Sequence, residues 1–115
     1  MGKDNAILNK SFVFALKIIE FAEYLENKHK YVIAKQILRS GTSIGANVRE
    51  AQSAESKADF IHKLKIAEKE LNETEYWLLL CKHSENYPSP NNLLDEVMEM
   101  KKLLSVIISS SKKNT

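Results

Sequence analysis

Few side chains in this chain could do chemistry, and their spacing argues against most chemistries. The three histidines, His29, His62 and His83, are scattered. A di-metal centre in a helical protein needs Glu-x-x-His pairs that project inward from two helices. Here the residue three before His62 is Asp59, at the start of a helix, and there is no second copy. Cys81 is the only cysteine, so no internal disulfide forms, and it lies in an apolar run typical of core filler. No Ser-His-Asp or Cys-His arrangement can be read from spacing. Gly41 and Gly45 do not follow a strand, so they form no phosphate-binding loop. The one unusual polar pattern is Arg39, Ser43, Asn47 and Glu50, which recur at helical intervals. They form a stripe suited to a hydrogen-bonded structural seam, within the protein or between subunits. No catalytic residue, cofactor, metal or small-molecule substrate is expected, and the chain is read as non-enzymatic.

That stripe lies in the most informative segment, Arg39-Ser-Gly-Thr-Ser-Ile-Gly-Ala-Asn-Val-Arg-Glu-Ala51. Its composition is that of a loop, with two glycines, two serines, a threonine and an asparagine. Its spacing is that of a helix. Ile33, Ile37, Gly41, Ile44, Val48 and Ala51 form a narrow apolar stripe, and the polar stripe runs roughly 100° away from it. Two glycines inside a helix cost roughly 1 kcal/mol each relative to alanine. Close packing against another helix would offset that cost, because Gly41-x-x-x-Gly45 presents bare backbone on one side. In membranes this spacing marks close helix contact, and the steric reason carries over.

The elements that carry these residues fill almost the whole chain. The first helix is expected from Asp4 or Asn5 to Asn27, with Leu8, Phe12, Ala15, Ile19, Ala22 and Leu25 as its core stripe. Val13 and Leu16 widen it, which points to two partner surfaces rather than one. Lys28-His29-Lys30 breaks the chain, and the second helix is expected from Tyr31 to Ala51. Ser56 caps the third, with Asp59 three residues later as a weak capping box. Its core series is Phe60, Leu64, Ala67, Leu71, Thr74, Leu78 and Cys81, and it is expected to end near His83–Asn86. Ser89 as N-cap with Pro90 at the first helical position is expected to start the fourth helix. That helix carries Leu93, Val97, Met100, Leu104 and Ile107 to about Ser109, with a frayed basic tail beyond. Short connections make neighbours antiparallel. The expected fold is an all-α, up-down-up-down four-helix bundle in a single domain, 1–115.

Composition agrees. The chain has 115 residues, is 43% hydrophobic and 28% charged, and has three glycines and two prolines. No apolar run is long enough to span a bilayer and no signal peptide is apparent, so the cytoplasm is the expected compartment. The net charge of +2 does not demand a nucleic-acid partner, and only Arg39 and Arg49 among the 17 basic residues are arginine. Lys28, Lys30 and Lys35 cluster near the start of the second helix, and Lys101 and Lys102 lie on the fourth. These are the candidate nucleic-acid contacts. An antiparallel bundle does not join them into one patch, but a symmetric ring would multiply either.

The Arg39–Ala51 run, followed by Ser56-Lys-Ala-Asp-Phe60 and Ala67-x-x-Glu-Leu71-x-Glu-Thr-Glu-Tyr-Trp77, resembles a bacterial family of small four-helix-bundle proteins. These are encoded by intervening sequences in 23S ribosomal RNA genes and often labelled "S23 ribosomal protein". The resemblance runs from about Leu8 to Ile108. It implies a four-helix bundle assembled as a homopentameric ring, and it implies no enzymatic activity. A related protein, the accessory variability determinant of diversity-generating retroelements, is strongly basic, binds nucleic acid and works with a reverse transcriptase. By that likeness the expected role is an adaptor or scaffold for RNA, DNA or a nucleic-acid-processing protein. The expected partners are further copies of the chain and one of these, without a membrane.

Overall fold

The computed structural model describes residues 3–113. Its elements are α1 (Lys3–Asn27), α2 (Tyr31–Ala51), α3 (Lys57–His83) and α4 (Leu93–Lys113). Each helix packs on its two neighbours around a square, α1 on α2, α2 on α3, α3 on α4 and α4 on α1, with no diagonal pairing of helices among the described residues. The rod measures 49 × 21 × 19 Å. A 25-residue helix is about 37 Å long, so each helix spans most of the rod. The short connections between neighbours give the up-down-up-down order expected from the sequence.

Local chemistry sets the ends. The α1–α2 turn closes with His29 in the left-handed region, at φ 64. The Lys30 N–H donates to the Leu25 carbonyl at 2.9 Å and the His29 N–H to the Glu26 carbonyl at 2.9 Å. These are the two bonds of a Schellman stop, here built without glycine. Ser56 caps α3 by accepting from the Asp59 N–H at 3.1 Å. Asp59 returns the favour one residue earlier than a standard box, its Oδ2 accepting from the Glu55 N–H at 3.2 Å.

The start of α4 differs from expectation. Ser89 Oγ accepts from the Asn91 N–H at 3.2 Å, and Asn91 sits at φ 51, which no right-handed helix tolerates. Pro90 is buried and belongs to this turn. The helix begins at Leu93, with the Asn92 carbonyl accepting from the Glu96 N–H at 3.1 Å. At its other end α4 continues to Lys113, so most of the expected frayed tail is helical, and Asn114 and Thr115 lie outside the described residues.

The inward faces of α2, α3 and α4 are close to those read from spacing, with Phe60 and Ile33 at the margin of the core. The face of α1 is not. Its buried series is Ile7, Ser11, Phe14, Ile18, Phe21, Ala22 and Leu25. Of the expected stripe, Phe12 is 52% exposed and Ile19 39%, and Leu8 and Ala15 are at the margin. The physical reason is Ser11. α1 is apolar on most sides, so periodicity alone cannot phase it, and the true stripe carries a small polar residue in its middle. A small residue suits the position, because α2 comes close and Ser11 is fully buried, with its Oγ 3.5 Å from where a Cβ on Gly45 would lie. A Cβ on Gly45 would lie 3.2 Å from the Ser11 carbonyl oxygen, and one on Gly41 would lie 2.8 Å from both Cγ atoms of Ile18.

Gly41→Ala therefore sets two effects against each other. It gains about 1 kcal/mol of helix propensity and loses about 1–3 kcal/mol to overpacking, because Ile18 is fully buried and has no room to withdraw. Denaturant melts should show Gly41→Ala less stable than the parent. Ile18→Ala alone should cost about 2–5 kcal/mol as a cavity. In the double variant the new methyl partly fills that cavity, so the combined loss should fall short of the sum. Strict additivity would contradict the close contact.

Candidate functional site

The polar stripe of α2 lies on the flank that faces α3. Arg39 and Glu50 are its two charged ends and both reach across. The Arg39 guanidinium binds Glu70 at 3.3 Å and also Glu73. Lys63 Nζ donates to Glu50 Oε1 at 3.2 Å. Between them, Ser43 and Asn47 are half-buried and turn back on their own helix. Ser43 Oγ donates to the Arg39 carbonyl at 2.7 Å and Asn47 Nδ2 to the Ser43 carbonyl at 2.9 Å. Glu73 also accepts from Trp77 Nε1 at 3.0 Å, so Arg39, Glu73 and Trp77 form one chain of contacts along the outside of the seam.

The buried centre of the α2–α3 seam is a pair that the polar stripe does not include. Ser40 and Thr74 are fully buried, and their hydroxyls lie 2.9 Å apart. Each also meets its own helix, Ser40 Oγ at 3.0 Å from the Gln36 carbonyl and Thr74 Oγ1 at 2.8 Å from that of Glu70. Among the described residues no buried side-chain nitrogen or oxygen lacks a partner. Thr74 stood in the expected core series of α3. Ser40 could have been found the same way, since it sits one turn from Ile37 and Ile44 on the inward side of α2.

The glycines sit on the opposite flank. Gly41 and Gly45 face α1 and let its backbone approach. The candidate phosphate-binding lysines are dispersed. Lys28 and Lys30 lie at the α1–α2 turn, and Lys35 is exposed on α2. Lys101 lies on α4 with its Nζ 2.7 Å from Glu75 Oε1, and Lys102 beside it is exposed. α2 and α4 are diagonal in the square, so the two groups do not meet on one protomer.

Cys81 is buried in the core, and burial pushes its thiol from an ordinary value of 9.0 up to about 11. The thiolate is the nucleophile, so the folded protein holds this group in its unreactive form at neutral pH. His62 is exposed on α3 and His83 ends it. Among the described residues no three of His, Cys, Asp or Glu converge in a way that could hold a metal ion. No helix among them is long and apolar enough to cross a membrane. A groove of about 630 Å³ between α1 and α4 is lined by alternating charges, including Lys10, Lys17, Asp95, Glu96 and Glu99. Lys10–Glu99 at 2.8 Å and Lys17–Glu96 at 2.9 Å bridge it. The Glu99 carboxylate beside Lys10 raises the lysine's pKa, and Lys10 lowers that of Glu99.

Two outcomes follow from this geometry. Thr74→Val should cost about 1 kcal/mol, and Ser40→Ala with Thr74→Val together should cost less than the two single changes summed. A double-mutant cycle read by chemical denaturation measures this, and zero coupling would remove Ser40–Thr74 as the register pin. The Cys81 thiol should resist alkylation at pH 8 in the native protein and react once the chain is unfolded. Its folded pKa is raised, so its stabilising contribution is complete below pH 9 and is lost as pH rises towards 11. Rapid native-state labelling would show that the core opens freely.

Comparison with known proteins places the fold. No functionally curated protein matches the chain. A crystal structure from Bacteroides thetaiotaomicron, of a protein with unknown function from the S23 ribosomal protein family, is 50% identical with a TM-score of 0.88. The match covers 93% of this chain and 98% of that one. Residues 3–106 match the family described as 23S rRNA-intervening sequence protein, and the chain belongs to that family.

Proposed function

We propose that the protein is a non-enzymatic homo-oligomeric scaffold, assembled as a pentamer, that serves RNA or an RNA-dependent enzyme as an adaptor. The observation that carries this reading is the outer face of α1. Phe12 is 52% exposed, Leu16 50% and Ile19 39%, and Leu38 on α2 is 40% exposed. The Gly41–Ile18 and Gly45–Ser11 contacts set the register of α1 against α2. In that register Ile19 is level with Leu38 and Phe12 with Gly45. A continuous apolar strip of this kind on a small bundle marks a contact surface. A ring of identical subunits buries such a strip through a heterologous contact, with a different surface of the next copy. The five-fold number rests on the family resemblance. Light scattering coupled to gel filtration tests it and should give a mass five times the chain's 13.1 kDa. Leu16→Glu with Phe12→Glu should reduce that mass to the monomer's while leaving the helical circular dichroism intact. A parent protein that is already monomeric would remove the scaffold reading.

A second reading is direct nucleic-acid binding by basic residues displayed around the ring. One observation favours it. Lys10, Lys17, Lys63 and Lys101 each have a carboxylate within 3.2 Å. Lys28 and Lys30 have no carboxylate ion pair among the described residues. Of the expected contacts, Lys101 is the one held by a carboxylate among the described residues. Affinity for RNA should fall steeply with salt if this reading holds. Salt-independent affinity would exclude it.

A further inference from the structure

The α1–α2 turn sets its two lysines against tyrosine rings. The Lys28 ammonium lies 5.6 Å from the centre of the Tyr24 ring, and that of Lys30 lies 4.9 Å from the centre of the Tyr87 ring. Tyr24 is 49% exposed and Tyr31 57%. Between the lysines, His29 holds the left-handed conformation in which a side chain other than glycine is costly, and its Nδ1 lies 2.7 Å from the Tyr31 hydroxyl. The strained turn thus places two cations and the exposed tyrosines at one end of the rod.

We infer that this end of the bundle is a stacking platform for single-stranded nucleic acid. The inference rests on the nucleic-acid reading above and names its substrate class. Lys28 and Lys30 reach phosphate oxygens by swinging off the tyrosine rings, on flexible stems that no carboxylate holds. The vacated ring faces, and the exposed Tyr31 ring, then receive bases. Stacking of this kind needs bases that are not already stacked in a duplex, and it is tolerant of sequence because every base has a π-face. Two cations on this turn neutralise too few phosphates to grip a duplex by its backbone alone. For single strands the slope of log affinity against log salt is about −0.7 for each phosphate neutralised. Two contacts per turn give about −1.4, a loss of roughly 25-fold for a tenfold rise in salt.

The test uses the full chain and fluorescently labelled oligo(U), oligo(dT) and a mixed duplex of equal length, titrated by anisotropy at two salt concentrations. Both single strands should bind at least tenfold more tightly than the duplex. Tyr31→Ala should weaken single-strand binding about tenfold at unchanged melting temperature, since the ring is exposed at the helix start. Lys28→Ala with Lys30→Ala should weaken it and flatten the salt slope. Oligo(U) preferred over oligo(dT) would identify RNA as the natural strand, and equal affinity would identify a strand-general platform. Both results support the inference. Duplex binding as tight as single-strand binding overturns it and leaves the nucleic-acid reading standing. So does a Tyr31→Ala protein with parental affinity while the lysine variant is weakened. Absence of binding by every probe at low salt overturns both.

Discussion

The approach of α1 to α2 at Gly41 and Gly45 is the constraint from which much of this bundle follows. With no Cβ at either position, Ile18 packs directly over the α2 backbone at one level and the Ser11 backbone meets it at the other. That contact decides which residues of α1 turn inward. It demands something small at 11 and accepts a bulky branched side chain at 18. Once those are set, Ile7, Phe14, Phe21 and Leu25 follow at helical spacing. Phe12 and Leu16 are left outside by the same rotation. The glycines thus build the core and also create the apolar outer strip.

α2 is the helix on which both of its neighbours are registered, by different means. Towards α1 it offers absence of side chain. Towards α3 it offers hydrogen bonds, with Ser40–Thr74 buried at the centre and Arg39 and Glu50 bridging outside. The buried pair links the two helices at one level, and a shift of one turn would break it, leaving each hydroxyl only the carbonyl of its own helix. The outer ion pairs are largely solvated and add little stability. They restrict which turn of α3 lies opposite which turn of α2. Composition that reads as loop therefore serves as helix, since each small or polar residue has a neighbour that requires it.

The interior offers little reactive chemistry. The lone thiol is held protonated, the buried hydroxyls are engaged, and the charged groups of α1 and α4 neutralise each other across their groove. What distinguishes this rod from an inert bundle is its exterior. An apolar strip runs along α1, and a cation–tyrosine turn sits at one end. The strip faces outward from the body of α1, and the turn follows its C-terminal end at Asn27.

Much of this was legible in the chain. Spacing identified four helices, three of the four inward faces, the Ser56 cap and the continuity of α2 through its glycines. These are local properties, fixed by which residues share a helical face and which can cap a turn. The phase of α1 was not legible, because a helix apolar on most sides is oriented only by what packs against it. Nor was the start of α4, where Ser89 and Pro90 form a good local signal that Asn91 in the left-handed region overrides. The sequence by itself determined the elements, their order and the family. Only the tertiary structure decided that the inward-facing Ser40 meets Thr74 of α3 across the seam, and that Phe12 and Leu16 face outward. The physical reason is that periodicity specifies a direction within one helix, while burial depends on the distance to the next.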